Sequence, residues 1–515
     1  MSTTTKENTI QVINPASGEV ISEIKSTTCL EVVETVNKAK DAFLLWKSLS
    51  VEKRISYLKT IYDIIIDDRQ YIAETITKNN GKPLAEAYLT EIASTLQIME
   101  HFIKNGASLL HEKNIPLGPL YPTKKSILSY EPHGVVAIVK PWNYPFYLPL
   151  SAITKALLAG NTIIFKPSST VSLVGKLIEE ILLKANFPTG VVNVIYGSSE
   201  VAQTLLESNI DMVVFTGSAE VGKNVASLCI KKMLPMCLEL GGKDPAIVLK
   251  SCNIDYAVNG VLWGAIANAG QACASIERVY VESSIYDDFV SKISSQAKEL
   301  KIGNGSDDEV DVGPLINEEQ LNKIEGHVFD AINKGAILNT GGKRVLESGY
   351  FFEPTVLSNV NHTMQVMKEE TFGPIIPIMK FEVLEEVIGF ANDTDYGLSA
   401  SIWTGELENL RKITDNLNCG TVWVNDSLFL QAHPACPWVG YKDSGYGSSS
   451  IYQFVKSKHI SIDQGFIPGL RPKNFWWYPY KGKARSYFDL IELVYKTNLK
   501  HKAKAAFKTI VDFLK

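Results

Sequence analysis

The strongest constraint on this chain is a repeated alternation of short apolar runs with helical segments. Val135-Val-Ala-Ile-Val139, Thr162-Ile-Ile-Phe165, Val191-Val-Asn-Val-Ile195 and Met212-Val-Val-Phe215 read as strands, with helices over 148–159, 171–184 and before Met212. Strands that alternate in this way form a mostly parallel sheet covered on both faces. Residues 243–250 and 277–282 open a second α/β unit, which takes in Phe351-Phe-Glu-Pro-Thr-Val-Leu357, Ile375-Ile-Pro-Ile378 and Thr421-Val-Trp-Val424. Upstream, 11–19 reads as a strand and turn, and 29–110 as largely helical. Trp46, Leu49, Leu58 and Ile61 belong there to packing.

A chain of 515 residues is too long for one small domain and should form two or three. A net charge of -5 argues against a nucleic-acid binder, which needs a positive face for phosphates. Seven cysteines without a CxxC pair suggest neither a disulfide framework nor a structural zinc, and no metal is expected. Residues 1–10 are polar, and apolar stretches such as 145–159 fall short of the roughly 20 residues that span a bilayer. The expected location is cytoplasmic.

Chemistry concentrates at a few points. Cys273 stands in Gly270-Gln-Ala-Cys-Ala-Ser275, where small neighbours leave a thiol open to attack a carbonyl; a lone cysteine there also suits an inert core. Glu239, in Leu238-Glu-Leu-Gly-Gly-Lys-Asp-Pro245, could serve it as a base. In Lys140-Pro-Trp-Asn-Tyr-Pro145 two prolines fix the loop around Asn143, whose amide could stabilise an oxyanion or cap an Asx turn. Phe215-Thr-Gly-Ser-Ala-Glu-Val-Gly222 closes a strand and opens a helix, suiting either a phosphate or a plain turn. Lys166, at a strand end in Phe165-Lys-Pro-Ser-Ser169, could meet ribose or phosphate, or simply start a solvated loop.

Taken together, PWNYP, FKPS, FTGSxxVG, LELGGKDP, GQAC, EETFGP and GYKDSGYG resemble the NAD(P)-dependent aldehyde dehydrogenase superfamily over roughly residues 10–465. The resemblance implies an α/β fold of two Rossmann-like three-layer α/β/α domains plus a small β oligomerisation element. It places an NAD(P)-binding domain at 1–113 and 133–241, a catalytic domain at 242–450, and oligomerisation strands at 114–132 and 451–465. It further implies Cys273 as nucleophile, Glu239 as general base, and Asn143 with the Cys273 amide as oxyanion hole. Lys166 would bind the adenosine ribose, Gly217, Ser218 and Gly222 would surround the dinucleotide, and Glu370 and Phe372 would hold the nicotinamide ribose and ring. Trp142, Ser168, Ser169 and Leu240 complete the cofactor set. A homodimer or homotetramer is implied by the strand near 455–465.

Two departures matter. Ser169 stands where many NAD-preferring relatives carry glutamate, which removes a repulsion against a 2′-phosphate, so NADP is expected to be tolerated alongside NAD. After residue 465 a tail, 466–515, carries 11 Lys/Arg against 3 Asp/Glu. Phe488, Ile491, Tyr495 and Leu499 fall on helical spacing there, followed by Phe507, Ile510 and Leu514. Such a helix could pack on an acidic protein surface or lie as a peripheral contact on an anionic membrane. Tyr144, Leu148, Ala272, Trp438 and the loop 426–437, with His433 and Cys436, match family positions near the substrate. Their apolar character favours an aliphatic or aromatic aldehyde, and no arginine clamp for a second carboxylate is evident. Oxidation to the acid is the expected activity. The alternatives are transfer of the acyl group to coenzyme A, which retention of Glu239 disfavours, and a noncatalytic scaffold.

Overall fold

A computed structural model describes residues 9–118, 121, 123–345, 348–408, 410–428, 434–464 and 477–495. Five parallel strands form the first sheet: β1 (Val135–Val139), β2 (Thr162–Lys166), β3 (Val192–Val194), β4 (Met212–Thr216) and β5 (Met236–Glu239). The spatial order is β5-β4-β1-β2-β3, with Gly445–Tyr446 antiparallel on the β5 edge. The order reverses on either side of β1, and ligands of open α/β sheets bind beyond the carboxyl ends of strands at such a point. Lys140, Thr216 and Glu239 sit at those ends.

The covering helices are α1 (Tyr147–Ala159), α2 (Ser172–Lys184), α3 (Ser199–Glu207) and α4 (Ala219–Lys232). Helix α1 is buried almost all round and stops at Gly160, whose φ of +95° a side chain would resist. Helix α4 begins at Ser218, whose hydroxyl accepts from the Val221 amide, and ends in Lys231 and Lys232, which suit the negative helix end. Ahead of β1, helices Cys29–Ser48, Val51–Asp67, Arg69–Asn80 and Ser94–Leu109 bury Trp46, Leu58 and Ile61. A π-helical stretch, Ala87–Ala93, interrupts them.

Only Leu240–Lys243 separates β5 from β6 (Asp244–Val248), the start of the seven-stranded second sheet. Its order is Ile337–Thr340, Thr355–Ser358, Ile375–Phe381, β7 (Ile276–Glu282), β6, Ser399–Trp403 and Thr421–Val424. All neighbours are parallel except the first pair. The run expected as one strand over 351–357 divides in two. Phe351–Phe352 pairs with Arg344–Val345, while Thr355–Ser358 joins the large sheet. Pro354 lies at the break, where it cannot donate to a ladder.

By compactness the chain divides into 1–109 with 132–455, and 110–131 with 456–515. In the second unit Lys113–Ile115 pairs antiparallel with Lys124–Pro132, which in turn adjoins Val455–Asp463. Residues 456–463 are exposed and form an edge of that sheet. In the tail, helix Ala484–Tyr495 exposes Phe488, Ile491 and Tyr495. Leu499, Phe507, Ile510 and Leu514 lie outside the described residues, as does His433. Among the described residues no helix is long and apolar enough to cross a membrane.

Candidate active site

The Asn143 loop is fixed from beneath by groups far away in sequence. Lys82 Nζ donates to the Asn143 carbonyl at 3.0 Å and to Glu91 Oε1 at 2.7 Å, and lies 4.1 Å from the Tyr144 ring centroid. Glu91 Oε2 accepts from the Phe146 and Tyr147 amides at 3.1 and 2.8 Å. Asn80 Nδ2 donates to the Trp142 carbonyl at 2.9 Å, and Asn268 Nδ2 to that of Asn143 at 3.0 Å. The Asn143 side chain is buried and its Oδ1 accepts no hydrogen bond. It therefore caps no turn through that oxygen, and the backbone alone holds the residue. A buried amide held in this way is a poor structural element and a good preset dipole.

Cys273 follows a strained approach. Asn268 and Ala269 take φ of 56° and 54°, and Gly270 takes 71°. Left-handed backbone at a non-glycine such as Ala269 costs of order 1 kcal/mol or more and persists where the surroundings impose it. A Cβ on Gly270 would stand 2.2 Å from the Gly373 carbonyl oxygen, so glycine is required. The buried Gln271 amide ties the turn down, donating to Asn268 O at 3.1 Å while its oxygen accepts from the Ile316 amide at 2.9 Å. Burial, and then Glu239, Asp244 and Glu370, push the Cys273 thiol up to about 12. The resting sulfur is thus protonated and needs a base or a nearby cation to become a nucleophile.

Two cavities meet at Cys273. One is lined by Trp142, Asn143, Gly217, Ser218, Leu240 and Phe372, together with Glu370, Gln320 and Lys323. It encloses about 650 Å³, its open mouth included. The other holds Glu239 with Lys140, Lys155, Thr216 and Ser449, and its apolar wall includes Phe102, Leu148 and Trp438. Glu239 Oε2 lies 3.3 Å from Lys140 Nζ and 3.1 Å from Thr216 Oγ1. Burial opposes ionisation of Glu239, but Lys140, Lys155 and hydroxyl donors outweigh it and leave its pKa below the usual carboxylate value. A third cavity, lined by Leu89, Ala93, Tyr144, Tyr147, Trp263 and Leu428, lies behind the Asn143 loop.

The first cavity has the features a dinucleotide needs. Ser218 caps α4, so the positive helix end faces the cavity mouth. Gly241 is kept small by the Glu370 carboxylate, which a Cβ there would meet at 2.5 Å. Glu370 accepts from the Gly242 amide at 3.1 Å; burial and then Glu277 raise its pKa to about 7. Phe372 takes a positive φ of 58° and packs edge-on to Trp142, ring centroids 5.4 Å apart. Gly222 packs against Leu240, bringing α4 close to the chain after β5.

Lys166, Ser168 and Ser169 do not line that cavity; they follow β2 on the same sheet edge. Lys166 is buried rather than in a solvated loop, and its Nζ donates to the Pro167 carbonyl at 3.2 Å. Burial lowers its pKa to about 8. Ala272 is buried beside Cys273 and lines none of the three cavities. Tyr144 and Leu148 fall on different cavities. Lys82, Glu91, Lys140, Lys155, Thr216 and Ser449 were not singled out from sequence; only the FTGS and PWNYP segments flanked some of them.

The aldehyde dehydrogenase family model matches residues 2–460. The chain belongs to the aldehyde dehydrogenase family. A 4,4'-diapolycopene aldehyde oxidase from a Methylomonas species is 32% identical over 489 residues, covering 95% of this chain and 91% of that protein. That match runs into the C-terminal extension. Among solved structures, an NADP-dependent enzyme of E. coli superposes with a TM-score of 0.85 at 33% identity, covering 88% of this chain and 95% of that one. An aldehyde dehydrogenase from Bacillus cereus in complex with NAD+ gives 0.83 at 30% identity, covering 88% and 93%. The expected two-domain α/β architecture and the nicotinamide cofactor, NAD or NADP, are thus both met at the level of the family.

Proposed function

We propose that this enzyme oxidises an apolar aldehyde to its carboxylic acid with NAD or NADP, using Cys273 as nucleophile. The observation carrying this reading is the meeting of two cavities at one thiol, with Asn143 and Glu370 on one side and Glu239 on the other. Glu239 takes the Cys273 proton, and the thiolate adds to the aldehyde carbon. The oxyanion that forms is held by the Asn143 amide and the Cys273 backbone N–H, preset by the Lys82 and Asn268 contacts to the Asn143 carbonyl. The nicotinamide, when bound, supplies the hydride acceptor. Trp142, Gly217, Ser218, Leu240, Glu370 and Phe372 would hold it, with Lys166, Ser168 and Ser169 toward the adenosine ribose. Glu239 then removes a proton from the water that hydrolyses the thioester.

Leu148, Trp438, Tyr144, Tyr147 and Trp263 support an aliphatic or aromatic substrate, and no arginine is among the described residues lining these cavities. The carotenoid-derived aldehyde named for the Methylomonas relative accords with that preference. The exposed edge Val455–Asp463 supports a homodimer or homotetramer closed by strand addition. The exposed aromatic face of Ala484–Tyr495 and the excess of Lys/Arg in 466–515 support peripheral contact with an anionic membrane.

The test is initial-rate NADH and NADPH formation by wild type and Cys273→Ala across aliphatic, aromatic and carboxylated aldehydes. Loss of the rate in the variant is expected. Activity that appears only when coenzyme A is added would favour acyl transfer, and none under either condition a noncatalytic role.

A further inference from the structure

Glu370 and Phe372 both line the first cavity, and the chain between them is held by side chains from two directions. Glu277 Oε2 accepts from the Thr371 amide at 2.7 Å, and its Oε1 from the Phe372 amide at 2.8 Å. Gln320 Nε2 donates to the Thr371 and Phe372 carbonyls at 2.9 and 2.8 Å. Phe372 takes left-handed backbone there, which persists in a non-glycine residue where the surroundings impose it. Lys243 Nζ donates to Glu277 Oε2 at 2.7 Å, both side chains being buried, and to Thr371 Oγ1 at 3.1 Å. The residue before that lysine, Gly242, gives its amide to Glu370 Oε1 at 3.1 Å. Glu277 itself stands on β7, the strand that follows Cys273, and lines none of the three cavities.

We propose that Glu277 is a positioning residue for the nicotinamide end of the cofactor, fixing Glu370 and Phe372 on the cavity wall in register with Cys273. The inference rests on the reading that Glu370 and Phe372 hold the nicotinamide ribose and ring. Strand β7 and Ile375–Phe381 pair from Val279 and Ile378 onward. Ahead of that ladder the Glu277 carboxylate takes the place of a strand partner for the Thr371 and Phe372 amides. It thereby ties the segment that carries the cofactor wall to the segment that carries the thiol. A carboxylate binds N–H donors more strongly than a neutral acceptor does, and the Lys243 ammonium beside it compensates the burial of its charge. The Phe372 ring, edge-on to Trp142, keeps its place only while the backbone beneath it keeps the bend.

The test is calorimetric titration of the cofactor-free enzyme with NAD+ or NADP+, whichever wild type binds, and with the matching fragment that ends at the diphosphate, ADP for NAD+. The fragment keeps the adenosine end and lacks the nicotinamide ribose and ring. Glu277→Gln leaves one oxygen for two amides and turns an NH2 group on the other. The whole cofactor should then bind at least about tenfold more weakly, the loss of about one charge-assisted hydrogen bond. The fragment should bind within about twofold of wild type. Should Glu277→Gln fail to fold around a stranded Lys243, the double variant Lys243→Met/Glu277→Gln, which leaves no unpaired charge, decides in its place. Weakening of cofactor and fragment by one common factor, or of neither, overturns the proposal, since a merely structural residue would not tell the two apart. Glu370→Gln checks the reading beneath it. If that variant binds the cofactor as wild type does, the nicotinamide end does not lie at Glu370, and the placement falls together with the proposal. If Glu370→Gln weakens the cofactor and the Glu277 variants do not, the placement stands and the proposal alone falls.

Discussion

The mount beneath Asn143 yields the sharpest prediction. Lys82 and Glu91 are 2.7 Å apart with both side chains fully buried. At that separation and an effective dielectric of about 20, their attraction is about 6 kcal/mol, much of it offset by removing both charges from water. Lys82→Met leaves Glu91 charged and buried with only the Phe146 and Tyr147 amides, which should cost about 3–5 kcal/mol of stability. Glu91→Gln added to it removes the stranded charge, so the pair should be coupled by about 1–3 kcal/mol. Lys82→Met also leaves the Asn143 carbonyl with Asn268 Nδ2 as its remaining side-chain donor, so kcat should fall by up to about 10²–10³, the loss seen when an oxyanion donor is removed. Urea unfolding followed by tryptophan fluorescence gives the first two quantities, and initial rates at saturating aldehyde give the third. Single-variant effects that add to within about 0.5 kcal/mol would refute the coupling. An unchanged kcat in a destabilised Lys82→Met would refute the mount.

Other expectations concern the site directly. Asn143→Ala should lower kcat by about 10²–10³ with little change in unfolding midpoint, because its side-chain oxygen bonds nothing in the fold. With the Cys273 thiol held near 12 in the cofactor-free enzyme, its alkylation by iodoacetamide should rise about tenfold per pH unit from 7 to 9. The rate is the difference between wild type and Cys273→Ala, and a plateau below pH 9 would contradict the burial argument. Ser169→Glu should restore repulsion against a 2′-phosphate and depress kcat/KM with NADP at least about tenfold relative to NAD, an energy of about 1.4 kcal/mol. Equal effects on both cofactors would place Ser169 away from that phosphate. Deleting residues 466–515 should release the enzyme from vesicles rich in anionic phospholipid; retained binding would exclude the tail as the contact.

Much of this protein was legible from its sequence because the signals are local. Apolar runs such as Val135–Val139 alternating with helical segments specify parallel strands under helical cover, since a strand dry on both faces has no other stable setting. Pro354, read inside one strand, instead divides two, because a missing N–H is tolerated at a break and not in a central ladder. The candidate nucleophile, base and oxyanion donor were marked by the order of seven motifs within one chain. What those motifs left open, tertiary structure decided. Whether Asn143 capped a turn or presented its amide depended on Lys82, Glu91 and Asn268, which approach it from other parts of the fold. The elevated thiol of Cys273 follows from burial and from Glu239, Asp244 and Glu370, carboxylates contributed by separate segments. Lys155 carried no motif, and only the packing of α1 against β1, β2 and the 451–454 turn brings it into the cavity that holds Glu239. A sequence fixes which groups are present and the local shape of the chain. The field at a reacting atom sums over neighbours brought together from distant positions, so folding alone sets the charge states on which the chemistry depends.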